Sequence, residues 1–158
     1  MLKNKGPFPA VAMMSQVDAN VMPPLEHSIS GEITGNATDV PMGAIRSGGT
    51  LSKVWMSTSA SGKDDSATLS LTSDVKINGT TCLTTQPVIA HVSGEASQQK
   101  TTNVTGDTGI TQAVVNTAAN TVSPGDMVTA EFTLTRTASP TTEMRHVSLV
   151  VEIQPSIN

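Results

Sequence analysis

Residues 121–155 read TVSPGDMVTAEFTLTRTASPTTEMRHVSLVVEIQP, and this stretch decides the fold. Pro124 and Gly125 predict a type II turn, because proline presets a φ of about −65° and glycine supplies the positive φ that follows. Apolar residues then recur at every second position in two runs, on either side of a polar segment. A period of two predicts two long antiparallel strands, each with one face in a core and one in water. The predicted core faces are Val128, Ala130, Phe132 and Leu134 in the first run, and Val147, Leu149, Val151 and Ile153 in the second.

Shorter runs repeat this pattern along the rest of the chain. The cleanest alternation, residues 67–77, places Leu71 and Val75 on one face and Asp74 on the other, and it ends at Asn78-Gly79. That dipeptide predicts a tight hairpin turn, because both residues tolerate positive φ. Further strands are predicted at 28–34, 40–45, 50–59, 80–85 and 87–92, whereas 93–109 predicts loops and 110–117 permits either a helical turn or a strand. This spacing of short strands and turns predicts an all-β fold, a jelly roll or β-sandwich of about eight antiparallel strands.

The chain divides into an extended N-terminal arm, residues 1–27, and a jelly-roll domain, residues 28–158. Prolines at four positions interrupt the arm and exclude a regular central strand. Two interpretations remain open: a frayed terminus, or an arm that becomes ordered on another subunit, since exposed Met and Val mark contact surfaces. In the second case, the predicted interface residues are the apolar ones, namely Phe8, Val11, Met13, Met14, Val17, Val21 and Met22.

Composition excludes several classes of function. The net charge is −4 and only 14% of residues are charged, so we expect no nucleic-acid partner, which would need a basic surface. No apolar run is long enough to span a bilayer, so we expect no membrane partner. Prolines break the apolar start of the chain too early for a signal peptide, and the one cysteine cannot form an internal disulfide. We therefore expect synthesis in a reducing cytoplasm.

Metal-binding patterns are weak. The three histidines, His27, His91 and His146, lie far apart in sequence, where a clustered set would be typical of a metal site. Asp64 and Asp65 lie in a glycine-containing turn, but they lack the ligand spacing of an EF-hand loop. We interpret them as turn residues whose side chains bond to nearby amides, and we predict no metal and no cofactor.

Catalytic patterns are equally weak. Cys82 has no adjacent base and is predicted to be a small buried apolar residue. Asp126 and Glu131 could form the carboxylate pair of a glycosidase, but Asp126 fits better as a turn residue after Pro-Gly. The G-x-S-x-G and phosphate-binding glycine motifs are absent from the sequence. The sequence therefore predicts no catalytic residues and a protein that is not an enzyme.

The layout of residues 43–155 resembles the small jelly-roll modules of tailed-bacteriophage virions, above all capsid decoration (cement) proteins. The resemblance rests on a strand that carries Trp55, then SGKDDSATLSLTSDVKINGTT, PVIAHV, TVSPGDMVTAEFTLTRT and HVSLVVEI. Its motifs, the NGT hairpin and the SPGD turn before a long strand, are structural. The family has no catalytic residues to carry over.

The resemblance implies a function without catalysis. Decoration proteins of this kind are made in the host cytoplasm, sit on the capsid surface, commonly as homotrimers, and bridge neighbouring major capsid protein subunits. The predicted arm could reach across such subunits. The alternative is a jelly-roll module of a phage tail or fibre that binds host surface glycans. The low aromatic content, Phe8, Trp55 and Phe132, weighs against that alternative.

Overall fold

The computed structural model describes residues 22–64 and 68–156. Within these residues the chain is all-β, as the period-two pattern predicted, and no segment of it is helical. The strands are β1 (Leu25–Glu32), β2 (Ala37–Ala44), β3 (Gly49–Ala60), β4 (Ser70–Ile77), β5 (Thr80–Thr81), β6 (Leu83–Thr85), β7 (Val88–Ala90), β8 (Lys100–Thr101), β9 (Ile110–Thr111), β10 (Val114–Val115), β11 (Thr121–Val122), β12 (Met127–Thr135) and β13 (Arg145–Pro155).

Two antiparallel sheets form a sandwich. Sheet A has the order β1-β13-β3-β11, with β8 pairing beside β11 on the same edge of β3. Sheet B has the order β2-β12-β4-β7-β9, with β5 extending β4. The chain pairs from its ends inward: the first strand pairs with the last, and the second with the one before the last. This is the rolled-up hairpin of a jelly roll, which confirms the predicted fold class.

The two long strands of residues 121–155 do not pair with each other. β12 lies between β2 and β4 in sheet B, while β13 lies between β1 and β3 in sheet A. Residues 136–144 cross from one sheet to the other, and they are held by the backbone bridge between Lys63 and Thr142 and by the bond from Ile33 N–H to Met144 O. The decisive stretch therefore supplies an interior strand of each sheet.

Both runs bury the predicted faces in one core. Phe132 is fully buried and pairs across the sheet with Ser73 of β4, and Val147 and Leu149 are fully buried in the opposite sheet. Asp74 lies on the other face of β4, as the alternation predicted, yet its side chain is also buried. Its Oδ1 accepts hydrogen bonds from Val75 N–H, at 2.9 Å, and from Thr81 Oγ1, at 2.6 Å. The short strand β5 pairs beside β4, which brings the Thr81 hydroxyl to the carboxylate.

The predicted turns are present at one end of the sandwich. Asn78 and Gly79 have φ values of 50° and 82° and connect β4 to β5. In the Pro124-Gly125 turn, Asp126 N–H donates to Ser123 O and Gly125 has a φ of 93°, as a type II turn requires. The two turns are joined, because the Asn78 side-chain amide donates to the Asp126 carboxylate over 2.8 Å. Asp126 is thus a turn residue, as predicted.

Several strand limits differ from the predicted ones. β1 begins at Leu25, whose Cα partner is Val151, so the first sheet starts three residues before the predicted start of the domain at residue 28. The predicted return strand 80–85 is two strands, β5 and β6, separated by Cys82. Residues 93–109 contain the short strand β8, and the ambiguous stretch 110–117 contains β9 and β10. These strands are two residues long, which is too short for a periodicity to reveal.

Gly62 occupies a position that only glycine fits. Its φ is 73°, and a Cβ there would lie 2.3 Å from Leu69 Cδ2 and 2.8 Å from Thr142 O. We expect Gly62→Ala to lower the free energy of unfolding by about 2–4 kcal/mol, through backbone strain and overpacking. Urea unfolding measures the change. Gly35→Ala is the control, since a Cβ at Gly35 meets nothing within 4 Å. Equal stability of the two variants would contradict the described geometry.

The hydrogen bonds of the Asp126 carboxylate make the stability of the fold depend on pH. The Ser123 N–H and the Asn78 amide donate to its carboxylate and lower its pKa below the ordinary value. Because the folded-state pKa is the lower one, this stabilisation is present above the unfolded-state pKa, about 3.9, and is lost as pH falls through the folded-state pKa. Asp126→Asn should therefore melt below the wild type at pH 6, and the gap should shrink toward pH 2. A gap that stays constant over this range would contradict the role of the carboxylate. The exposed Glu152→Gln is the control.

Cys82 is fully buried, as predicted, and burial raises the pKa of its thiol to about 12. Since the thiolate is the reactive form, we expect no reaction with Ellman's reagent at pH 8 in the folded protein. Adding denaturant should release one reactive thiol per chain. Rapid labelling of the native protein would contradict the buried position.

Candidate functional site

Most of the predicted interface residues lie outside the described residues. Phe8, Val11, Met13, Met14, Val17 and Val21 belong to this group. Met22, the seventh, is half-buried and packs against the core of its own sandwich. Among the predicted interface residues, the structure therefore describes only Met22, at the point where the arm joins the domain.

A groove of about 510 Å³, with a mixed polar and apolar lining, lies at this point. On one side it is lined by the segment that enters β1, and on the other by the end of β2 and the loop after it. The lining residues are Met22, Pro23, Pro24, Leu25, Gly43, Ala44, Ile45, Arg46 and Ser47. Met127, whose Cα partner is Ala44, is one of the few large apolar side chains exposed on the described surface. We call this surface the arm-side groove.

The joined turns hold one wall of the arm-side groove. Ile45 N–H donates to Asp126 O, and Ile45 O accepts from Gly125 N–H, both over 2.8 Å. Asn78 binds the same region, because its Oδ1 accepts from Met127 N–H and its N–H donates to Met127 O. The Pro-Gly turn and the Asn-Gly hairpin thus fix the position of the groove wall.

A second groove of about 360 Å³ lies where β8 joins β3; we call it the polar groove after its residue types, although more than half of its exposed lining surface is apolar. Its lining combines hydroxyl, amide, carboxylate and imidazole groups with one lysine. The residues are Ser57, Thr58, Ser59, Gln99, Lys100, Thr101, Asp107 and His146. Leu25 of the arm-side groove is in register with Val151 and Val54, and Val54 lies three residues, or about 10 Å, along β3 from Ser57. The polar groove and the arm-side groove therefore occupy different positions along the sandwich.

Ser57, His146 and Asp107 line the same groove, yet their hydrogen bonds differ from those of a catalytic triad. His146 Nδ1 accepts from Gly31 N–H over 3.2 Å, so the neutral ring carries its proton on Nε2. Asp107 Oδ2 accepts from Thr101 N–H over 3.0 Å. In a triad, the acid would bind the histidine Nδ1–H and leave Nε2 free as a base. In this arrangement His146 offers a donor to the groove.

The wall of the polar groove is anchored by a buried lysine. The Lys100 side chain is fully covered, and its Nζ donates to Ala90 O over 3.0 Å, to Thr108 O over 2.7 Å and to Glu95 Oε2 over 2.8 Å. The bonds from Lys100 and from the Thr108 hydroxyl lower the pKa of Glu95. All three ammonium protons are thus used within the fold, and the charge of Lys100 is neutralised by Glu95 and turned away from the groove.

Trp55 extends this surface along β3. Its neighbours Val54 and Met56 are buried in the core, so the indole lies on the outer face of sheet A, two residues from Ser57. Lys53 Nζ lies 5.3 Å from the ring centroid, in a cation–π contact. The exposed Lys53 side chain therefore lies over one face of the half-buried ring.

The candidate metal residues are engaged in bonds within the fold. Asp64 Oδ2 accepts from Thr68 Oγ1 over 3.0 Å and from the amide and hydroxyl of Thr137 over 3.3 and 3.1 Å, as the turn interpretation predicted, while Asp65 lies outside the described residues. His91 is buried, with Nε2 3.1 Å from Glu95 O. Residues 22–64 and 68–156 hold no group of three or more His, Cys, Asp and Glu placed to bind a metal ion.

Sequence analysis missed the polar groove entirely. Its residues come from β3, from the loop around β8 and from the start of β13, and no local motif joins these segments. Lys100 occurs in a polar, glycine-rich stretch, where a solvent-exposed lysine is the ordinary expectation. Only the pairing of β8 with Ser57 and Thr58 brings the groove together.

No helix within the described residues is long and apolar enough to cross a membrane. Comparison with known proteins leaves the chain without an assigned family: no family model, no curated protein and no solved structure matches it.

Proposed function

We propose that this protein is a non-enzymatic virion component that decorates a tailed-phage capsid and bridges neighbouring major capsid protein subunits. The proposal rests on the sequence resemblance described above. The observation that carries it further is the arm-side groove, which lies beside the exposed Met127 at the point where the apolar, proline-broken segment joins the sandwich. An arm and an adjoining groove can together cover a subunit boundary.

The rigidity of the sandwich suits a protein that holds neighbouring capsid subunits together. Its long strands pair over most of their length, β12 with β4 and β13 with β3, so the domain resists shape change. No disulfide is needed, since Cys82 is the only cysteine. In a homotrimer three arms and three grooves would act together, and weak contacts would sum to strong binding through effective concentration. The partners are thus the major capsid protein and two further copies of this chain, at the virion surface after synthesis in the host cytoplasm.

The copy number on the capsid separates this function from a tail or fibre module. We expect the purified protein to cosediment with undecorated shells of its phage, with saturating binding at a copy number set by the capsid symmetry. Quantitative gel densitometry across a concentration series measures the number. Absence of binding, or only a few copies per particle, would contradict decoration and favour a tail or fibre position.

Deletion or substitution of arm residues tests more specifically whether the arm binds the capsid shell. Deletion should stop at residue 21, because removing residues up to 27 would take Leu25 and its pairing with Val151 out of sheet A. We expect deletion of residues 2–21, and the combined change Val11→Ser, Met13→Ser, Met14→Ser and Val17→Ser, to reduce shell binding at least about ten-fold, because apolar contact area is lost.

The matched control changes polar residues of the same segment, Ser15→Ala, Gln16→Ala and Asn20→Ala, and should bind as the wild type does. Circular dichroism verifies that each variant retains its β-sheet. Undiminished shell binding by the deletion and by the serine variant would eliminate the role of the arm.

A further inference from the structure

Asn78 and Gly79 form the only Asn-Gly dipeptide of the chain, and both residues are exposed. The side-chain amide of an asparagine can react with the backbone nitrogen of a following glycine, because glycine has no Cβ that hinders the approach. A Cβ at Gly79 would meet nothing within 4 Å, so water reaches this turn. The hairpin therefore combines a reactive dipeptide with access to solvent.

The reaction that this dipeptide permits is deamidation. The Gly79 nitrogen forms a bond to Asn78 Cγ, the bond from Cγ to Nδ2 breaks, and Nδ2 leaves as ammonia with the proton that the Gly79 nitrogen gives up. Water then opens the resulting cyclic imide at either of its carbonyls and leaves aspartate or isoaspartate at position 78. Water is the only co-reactant.

The fold holds the Asn78 side chain away from this reaction. Its amide donates to Asp126 Oδ1 over 2.8 Å, and its Oδ1 accepts from Met127 N–H over 3.0 Å. To bring Cγ to the Gly79 nitrogen, the side chain must turn back toward its own backbone and leave both partners. The bonds to the Pro-Gly turn and to the start of β12 should therefore slow deamidation.

Deamidation would turn the contact between Asn78 and Asp126 from attraction into repulsion. The Ser123 N–H and the Asn78 amide lower the pKa of Asp126, so its carboxylate is charged at neutral pH. A second carboxylate would place a negative oxygen where a donor now lies 2.8 Å from Asp126 Oδ1. Isoaspartate would also lengthen the main chain of the hairpin turn, whose length sets the register of β4 and β5.

We propose that Asn78 is a deamidation site protected by Asp126 and Met127, and that its deamidation is a one-way change that separates the two joined turns. The wall of the arm-side groove depends on the same contact, because Ile45 is bonded to Asp126 O and to Gly125 N–H. Separation of the turns would therefore loosen Ile45. The inference is independent of the decoration function, since it concerns bonds within one chain.

Peptide mass spectrometry tests the site and its protection, after incubation of the full-length protein at mildly alkaline pH. We expect Asn78 to deamidate about ten-fold or more faster in the native Asp126→Ala variant than in the native wild type, because a hydrogen bond to a charged group is lost. The wild type in denaturant should also react faster than the native wild type. The exposed Asn36 and Asn103, which precede alanine and valine, are internal controls and should react more slowly than Asn78 in denaturant.

Two results of this experiment would overturn the proposal. Equal rates at Asn78 in the native and the denatured wild type would remove the protective role of the fold, and this comparison remains decisive if Asp126→Ala does not fold. Deamidation of Asn36 or Asn103 as fast as that of Asn78 in denaturant would remove the site.

Asn78→Asp creates the product of deamidation directly. We expect this variant to melt below the wild type at neutral pH and to exchange the Ile45 amide hydrogen faster, and the gap in melting temperature should shrink in acid as the carboxylates become protonated. Asn36→Asp is the matched control, because an aspartate there still accepts from Leu134 N–H and should melt as the wild type does. Wild-type melting and exchange in Asn78→Asp would overturn the separation of the turns, whatever the outcome of the shell-binding experiment.

Discussion

Burial of the apolar faces of β12 and β13 in one core is the constraint on which the rest of the structure depends. Each strand is flanked on both sides within its sheet, β12 by β2 and β4, and β13 by β1 and β3. With only three aromatic residues in the chain, aliphatic and methionine side chains fill most of this core around Phe132. Such a core gains its stability from close packing over a large contact area, so both faces must keep their alternation. A slip of one residue in either strand would turn its apolar set outward.

The positions of β12 and β13 also determine where the two grooves lie. The turn before β12 is joined to the Asn78-Gly79 hairpin through Asp126, and the same turn holds Ile45 at the wall of the arm-side groove. The first residues of β13 place His146 in the polar groove, next to Ser57 and Ser59 of β3. These two strands thus set the positions of both grooves. In the proposed function, the arm-side groove would meet the capsid and the polar groove would face solvent.

Local patterns in the sequence predicted the strands and turns but not the way that distant segments meet. The alternation in 128–134 and 147–153 predicted the buried faces, and Asn-Gly and Pro-Gly predicted the turns, because both effects act over a few residues. The sequence did not reveal that β12 and β13 lie in different sheets, since alternation is the same whichever strand is the neighbour. Asp74 bonds to Thr81 of β5, and Lys100 bonds to Glu95 and Thr108 in the loops on either side of β8; such contacts leave no periodic signal. The same reason explains why the polar groove was missed.

The central claim is that the protein attaches to a capsid by its arm end. Electron cryomicroscopy of shells saturated with the protein tests this claim most directly, because the density gives the orientation of each copy. Our account predicts ordered density at symmetry-related positions, with Met22 and the Pro124-Gly125 turn against the capsid and with Trp55 and His146 facing solvent. Shells without added density, or copies attached through the face that carries Trp55 and His146, would contradict it.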